Sequence, residues 1–206
     1  MHIFLLSPAN CGGTRGTRLL NGRESSALAE RLRTEGAPIG DVFTALSGLY
    51  FRGKIEYARR FANPPDPACP IVAGGVLIIT PNAGLRGADT PITLAALRCF
   101  STTDVDAGNE AYRRPLVSSA RIVAERLGTT CDVILLGSIA TAKYVDALLE
   151  VFGPRLKFPV DFVGRGDMSR GGLLLRRASS GEELPYARVD GAVRHGPRPA
   201  RLGPKP

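Results

Sequence analysis

Three short runs of almost unbroken apolar residues constrain this chain more than any other feature: Ile3-Phe4-Leu5-Leu6, Val76-Leu77-Ile78-Ile79 and Val133-Ile134-Leu135-Leu136. A strand that shows no polar face must be buried on both sides, which is the environment of a parallel sheet covered by helices on both faces. Each run stops at polar or glycine-rich residues. The first meets Ser7-Pro8-Ala9-Asn10-Cys11-Gly12-Gly13, the second Pro81-Asn82-Ala83-Gly84, and the third Gly137-Ser138. Pro8 cannot donate to a ladder, so the first strand ends there. A fourth strand is read at Val160-Asp161-Phe162-Val163, running into Gly164-Arg165-Gly166-Asp167-Met168-Ser169-Arg170-Gly171-Gly172.

Helical stretches separate these runs. Residues 25–35 read as an amphipathic helix with a serine cap, Leu49 to Phe61 as a second helix, and Thr93 to Phe100 as a third. Ala111 to Leu127 and Ile139 to Phe152 follow, and Leu173 to Ala178 supplies one or two further turns. Alternating strands and helices predict an α/β three-layer sandwich on a mostly parallel central sheet. The expected organisation is a single domain over residues 1–190 and a basic Pro/Gly-rich tail over 191–206, ordered only where it docks. In such a fold the loops after the strands gather along one edge, and ligands bind there.

No apolar run approaches a membrane span, so the chain is expected to be cytoplasmic and monomeric, without a membrane. Its four cysteines are scattered and form no Cys-x-x-Cys pair, which argues against a zinc site; no metal and no cofactor is expected. Cys11, in the first polar turn, is the one thiol with a reactive setting. The net charge is +8, unevenly spread. Residues 1–60 hold nine basic and five acidic groups, 61–164 nine and ten, and 165–206 nine and four. If the two ends meet in space they make one positive face, the footprint of nucleic acid; the plainer reading is a solvated basic surface.

The strand-end loops offer Asn10, Asn82, Asp89, Ser138, Arg165, Asp167, Ser169 and Arg170, with Ser7, Gly12 and Gly13 around the first mouth. Arg15 follows that mouth, and Tyr50 and Lys54 reach the same edge from the second helix. No Gly-x-Ser-x-Gly elbow, Walker lysine motif or Gly-x-Gly-x-x-Gly fingerprint is present, which disfavours serine hydrolase, P-loop and dinucleotide chemistry. A carboxylate, amides and cations suit cleavage of an N-glycosidic bond, whose transition state is oxocarbenium-like. Asp167, Asp89 or Asn10 would handle the water. Asn82, Ser138, Tyr50 and Lys54 would line the base pocket, and Arg15, Arg165, Ser169 and Arg170 would hold phosphates. On duplex DNA such an enzyme flips its target base into a pocket.

Each residue also has a plainer role. Asn10 and Asn82 can cap turns, Asp167 can cap a helix, and Asp89 can open the turn at Thr90-Pro91. Tyr50 and Tyr57, seven apart, fit packing on one helix face. Lys54 can pair with a surface acid such as Glu24; a nucleophilic role requires a desolvated site.

Leu6-Ser7-Pro8-Ala9, Ser47-Gly48-Leu49-Tyr50-Phe51-Arg52-Gly53-Lys54, and Ile78 to Arg86 with Asp89 resemble segments of the YaaA-like proteins, a family associated with DNA binding and peroxide stress. The family shows a strand ending in Ser-Pro-Ala-Lys and later a Ser-Gly-Leu-Tyr segment. Here Asn10 stands in place of the lysine and Pro81-Asn82-Ala83 in place of the later lead. The resemblance spans roughly the first half of the chain. The wider group is similar in fold to the uracil-DNA-glycosylase superfamily, where an Asp or Asn after the first strand handles the water; this maps to Asn10. The whole pattern is also similar to small anti-phage DNA glycosylases that remove hypermodified cytosine and leave an abasic site. The resemblance thus implies a glycosylase acting on double-stranded DNA with modified bases, such as glucosylated hydroxymethylcytosine. The alternatives are a non-catalytic DNA-binding stress protein of YaaA type and a nucleoside deoxyribosyltransferase-like enzyme.

Overall fold

A computed structural model describes residues 1–197 and 199. The first apolar run forms β1 (His2–Leu6), followed by α1 (Thr14–Leu20), α2 (Ala27–Thr34), β2 (Ala37–Pro38), α3 (Ile39–Ser47) and α4 (Leu49–Phe61). The second run is β3 (Val76–Ile79), continued by β4 (Leu85–Gly87), β5 (Pro91–Ile92), α5 (Leu94–Thr102) and α6 (Glu110–Leu127). The third is β6 (Asp132–Leu136), then α7 (Ala142–Phe152), β7 (Leu156–Pro159), α8 (Asp167–Ser180) and β8 (Tyr186–Arg188).

The main sheet has the order β4-β3-β1-β6-β7-β8. Its four central strands are parallel, and β4 and β8 close the edges antiparallel. Because side chains alternate across a strand, each apolar run serves two cores at once. Phe4, Leu6, Val76, Ile78, Ile134 and Leu136 face a core built with α1 to α5 and α8. Ile3, Leu5, Leu77, Ile79, Val133 and Leu135 face a second core under α6 and α7. The molecule is therefore α/β with three layers, as the doubly buried runs require.

One expected strand is displaced. Val160–Phe162 is a 3-10 turn, and the fourth parallel strand is Leu156–Pro159 just before it. Lys157 breaks the apolar pattern of that strand, and its Nζ bonds the Asp132 carboxylate across β6 at 2.6 Å. α8 is also longer than the apolar pattern of residues 173–178 suggests. It begins at Asp167 and ends at Ser180, where Gly181, with a φ of 73°, takes the left-handed conformation that closes a helix.

Parts of the two basic segments do meet, because α4 and α8 make the most extensive helix pairing among the described residues. The crossing is made by glycines. A Cβ on Gly53 would lie 2.7 Å from the Gly171 carbonyl oxygen, and one on Gly171 would lie 2.8 Å from the Leu49 carbonyl oxygen. The expected tail touches the domain at single points, with Arg194 reaching Asp146 at 3.8 Å and Gly196 lying against Val163, while Val193 is exposed. The remainder of that tail lies outside the described residues. Among the described residues no helix is long and apolar enough to cross a membrane.

Both positions at the α4–α8 crossing press on backbone, which cannot swing aside as a side chain can. Gly171→Ala is therefore expected to lower the free energy of unfolding by about 1–3 kcal/mol, the usual cost of overpacking. Urea titration of the variant reads it; an unchanged midpoint would mean that the helices do not touch there.

Candidate functional site

The chain leaves β1 for α1 on one face of the sheet and leaves β6 for α7 on the other. Between two such neighbouring strands the loops diverge and open a crevice, the usual ligand site of an open α/β sheet. A cavity of about 740 Å³ lies there. Its walls come from the β1 mouth (Ser7 to Gly12), Ser138 after β6, Tyr50 of α4, Tyr144 of α7, Asp167 of α8 and the 100–105 segment at the end of α5.

The β1 mouth is held from below by Lys54. Its Nζ donates to the Ser7 carbonyl oxygen at 2.7 Å and lies 3.0 Å from Ser7 Oγ. Lys54 is 1% exposed and Ser7 7%. The lysine nitrogen also sits 4.6 and 4.3 Å from the ring centroids of Tyr50 and Phe51. Burial is the main cause that brings its pKa down to about 7, opposed by the Asp167 carboxylate and reinforced by the Arg170 guanidinium. The predicted partnership with Glu24 is replaced by this bond, and the desolvated setting that a nucleophilic or basic lysine requires is present.

Beside Ser7, Tyr144 Oη donates to the Ser138 carbonyl oxygen at 2.9 Å. Burial, the leading cause, raises the Tyr144 pKa and keeps the phenol protonated. Gly137 permits this approach, since a Cβ there would lie 2.8 Å from both Ser7 Cβ and Tyr144 Oη. The Tyr50 hydroxyl is likewise buried, and desolvation raises its pKa.

Asn10 is exposed at the cavity, and its side chain folds over Gly13 at the start of α1, where a Cβ would come within 3.3 Å of Nδ2. Gly13 caps α1 and shapes the loop without lining the cavity. Asp167 is the first residue of α8, with Gly166 as the cap, so its carboxylate does not serve as the cap. It is 70% exposed, and Arg170 Nη1 approaches it at 3.6 Å. A carboxylate in the first turn of a helix is favoured by the helix dipole.

Other expected members go elsewhere. Asp89 lies beside the amino end of β3, away from the cavity, and pairs with Arg59 at 2.5 Å. Its neighbour Thr90-Pro91 turns the chain into β5, which is the plainer role. Asn82, in the β3–β4 connection, donates to Thr103 Oγ1 at the end of α5 at 3.0 Å, and within that connection Thr80 Oγ1 donates to the Gly84 carbonyl at 2.7 Å. That second mouth satisfies itself, and only Pro81 reaches the cavity. Arg170 gives Nε and Nη2 to the Phe162 carbonyl oxygen at 3.2 and 3.0 Å. Arg165 gives Nε to the Asp161 carbonyl at 2.9 Å and Nη1 to Ser169 Oγ at 3.3 Å. Those donors face protein acceptors and anchor the start of α8. Exposed cations near the cavity are Arg15, packed over Gly48, and Lys143, which lines it. Lys143 and Tyr144 are members that sequence reasoning missed, although both closely follow the Gly137-Ser138 strand end.

Cys11 lies in the cavity wall, but burial pushes its pKa up to about 12, so it is a thiol and not a nucleophilic thiolate at neutral pH. Among the described residues no cluster of His, Cys, Asp or Glu could hold a metal ion. Comparison with protein-family models, curated proteins and solved structures finds no match to this chain.

A lysine held near pKa 7 binds fewer protons folded than unfolded between about pH 7 and its ordinary value of 10.5. Stability therefore rises with pH across that window on account of Lys54. The groups acting on it are Asp167 and Arg170 from α8, with the Tyr50 and Tyr144 hydroxyls nearby. Urea midpoints between pH 7 and 9 are expected to climb less steeply in Lys54→Met than in the wild type. Parallel slopes would show that Lys54 is charged in the folded protein.

Proposed function

We propose that this protein hydrolyses an N-glycosidic bond, removing a modified base from DNA and leaving an abasic site. The observation that carries the reading is one cavity at the β1–β6 crevice lined by both an amide, Asn10, and a carboxylate, Asp167. The volume of about 740 Å³ falls within the range of small-ligand sites and leaves room for a base enlarged by a sugar, such as glucosylated hydroxymethylcytosine.

The roles follow from the placements. Asp167 orients a water toward the anomeric carbon and accepts its proton as the sugar gains oxocarbenium character. Arg170, pinned to Phe162 and 3.6 Å from Asp167, holds the start of α8 in place. Asn10 donates and accepts at the departing base or the water. Ser138 and the Tyr50 face complete the base pocket. Arg15 and Lys143 are placed to meet the phosphates on either side of an extruded nucleotide. The resemblance to anti-phage glycosylases supplies the biological setting, defence against phage whose DNA carries hypermodified cytosine.

Incubating the protein with phage DNA containing glucosylated hydroxymethylcytosine is expected to give abasic sites, detected by strand scission in alkali. Asp167→Asn is expected to slow this by about 10²–10⁴-fold, the usual contribution of a general base. Asn10→Ala is expected to reduce it as well, with unchanged circular dichroism in both cases. No abasic sites from this DNA or from a panel of damaged bases removes the proposal. Salt-sensitive DNA binding without product would instead identify a binding protein.

A further inference from the structure

Ser7 and Lys54 are arranged for chemistry that N-glycosidic hydrolysis does not use. Ser7 lines the cavity, and the buried Lys54 Nζ lies 3.0 Å from Ser7 Oγ. The lysine nitrogen is enclosed by the Tyr50 and Phe51 rings and, among the described residues, makes its hydrogen bonds with Ser7 alone; Asp167 acts on it only through space. A salt-bridged lysine would be a poor base. An enclosed one without a bonded carboxylate can exist as the free amine. Nζ–H then donates to the Ser7 carbonyl, while the nitrogen lone pair accepts the Ser7 hydroxyl. Tyr144 Oη lies beside the same serine in the space that Gly137 leaves open: a Cβ at Gly137 would be 2.8 Å from Tyr144 Oη and 3.2 Å from Ser7 Oγ.

We propose that Ser7 and Lys54 form a nucleophile–base pair that gives this cavity an acyl-transfer activity on carboxylic esters. Lys54 Nζ takes the proton from Ser7 Oγ as Oγ bonds to the ester carbonyl carbon. The carbon–oxygen bond to the leaving alcohol breaks, and that oxygen takes the proton from Lys54. Water then attacks the acyl-serine, giving its proton to Lys54, which returns it to Ser7 Oγ as the carboxylic acid departs. The same pairing of serine and lysine serves acyl transfer on unrelated folds, where it is recognised by geometry and not by the Gly-x-Ser-x-Gly elbow. The activity stands apart from the N-glycosidic reading, because it needs neither DNA nor Asp167 as base.

The test uses the full chain and an alkyl fluorophosphonate, which captures an activated serine by forming an Oγ–phosphorus bond and releasing fluoride. Intact mass is expected to show one adduct, and peptide mapping is expected to place it on Ser7. The labelling rate should rise with pH through a midpoint near 7, matching the depressed pKa of the lysine. Ser7→Ala should abolish the adduct. Lys54→Arg keeps a cation that cannot act as a base, and should slow labelling by at least about 100-fold. Hydrolysis of a p-nitrophenyl ester should fall in parallel. No adduct on the folded wild type, an adduct mapped elsewhere, or wild-type labelling in a folded Lys54→Arg variant overturns the proposal. If the lysine variants fail to fold, mapping of the wild-type adduct and its loss in Ser7→Ala still decide the matter. Labelling of Ser7 without abasic product would support this pair and remove the glycosylase reading; abasic product without labelling would do the reverse.

Discussion

A lysine nitrogen taken out of water must recover its hydrogen bonds inside the protein, and Lys54 recovers them from a single residue. That residue, Ser7, is the first past the end of β1, where the backbone has left the sheet ladder. Ser7 N still donates to the Leu136 carbonyl oxygen at 3.2 Å, so the mouth is tied to β6 on one side and to α4 on the other. Everything that faces the cavity from the 7–12 segment inherits its position from these ties. Their cost is the desolvation that depresses the lysine pKa, so the burial that shapes the mouth also readies Lys54 to lose its proton.

Placing Lys54 there is a matter of helix packing. α4 can reach under β1 only because Gly53 and Gly171 allow its backbone to touch that of α8. The same contact carries Asp167 and Arg170, which precede Gly171 in the first turn of α8, toward Tyr50 and Lys54. Charge, cavity and helix crossing are thus one arrangement. Arg170 spends its donors on the Phe162 carbonyl, which secures the turn before α8 and, with it, the position of the Asp167 carboxylate.

Much of this was legible in the sequence because the signals were local. The three apolar runs could be nothing but doubly buried strands, and Leu49 to Phe61 reads as a helix from its spacing alone. The elements that escaped notice had signals too. Ile39, Val42, Phe43 and Leu46 carry the i, i+3, i+4, i+7 pattern of α3, and all four are buried. Tyr50, Lys54, Tyr57 and Phe61 share one helix face, so helical spacing by itself sets a lysine among aromatic residues. Asp89 and Asn82 could not be judged this way. Both follow strand-like residues, but the direction of the β3–β4 pair decides where they go. The antiparallel register carries residue 89 back to the amino end of β3, and Thr80 folds the 80–84 turn onto itself. Register is a long-range property, and no window around either residue contains it.

The division of labour at the cavity then follows from depth. Asp167 is solvated, at a helix start and beside a guanidinium. Lys54 is enclosed and can lose its proton near neutrality. Cys11 is enclosed as well, but its thiol is bonded to the Ala9 carbonyl at 3.5 Å and not to a base, so burial leaves it inert. Asp167 and Lys54 therefore approach the cavity from different levels. The carboxylate lies at an exposed level of the cavity, with Asp167 70% exposed, and Ser7 at a buried one, 7% exposed.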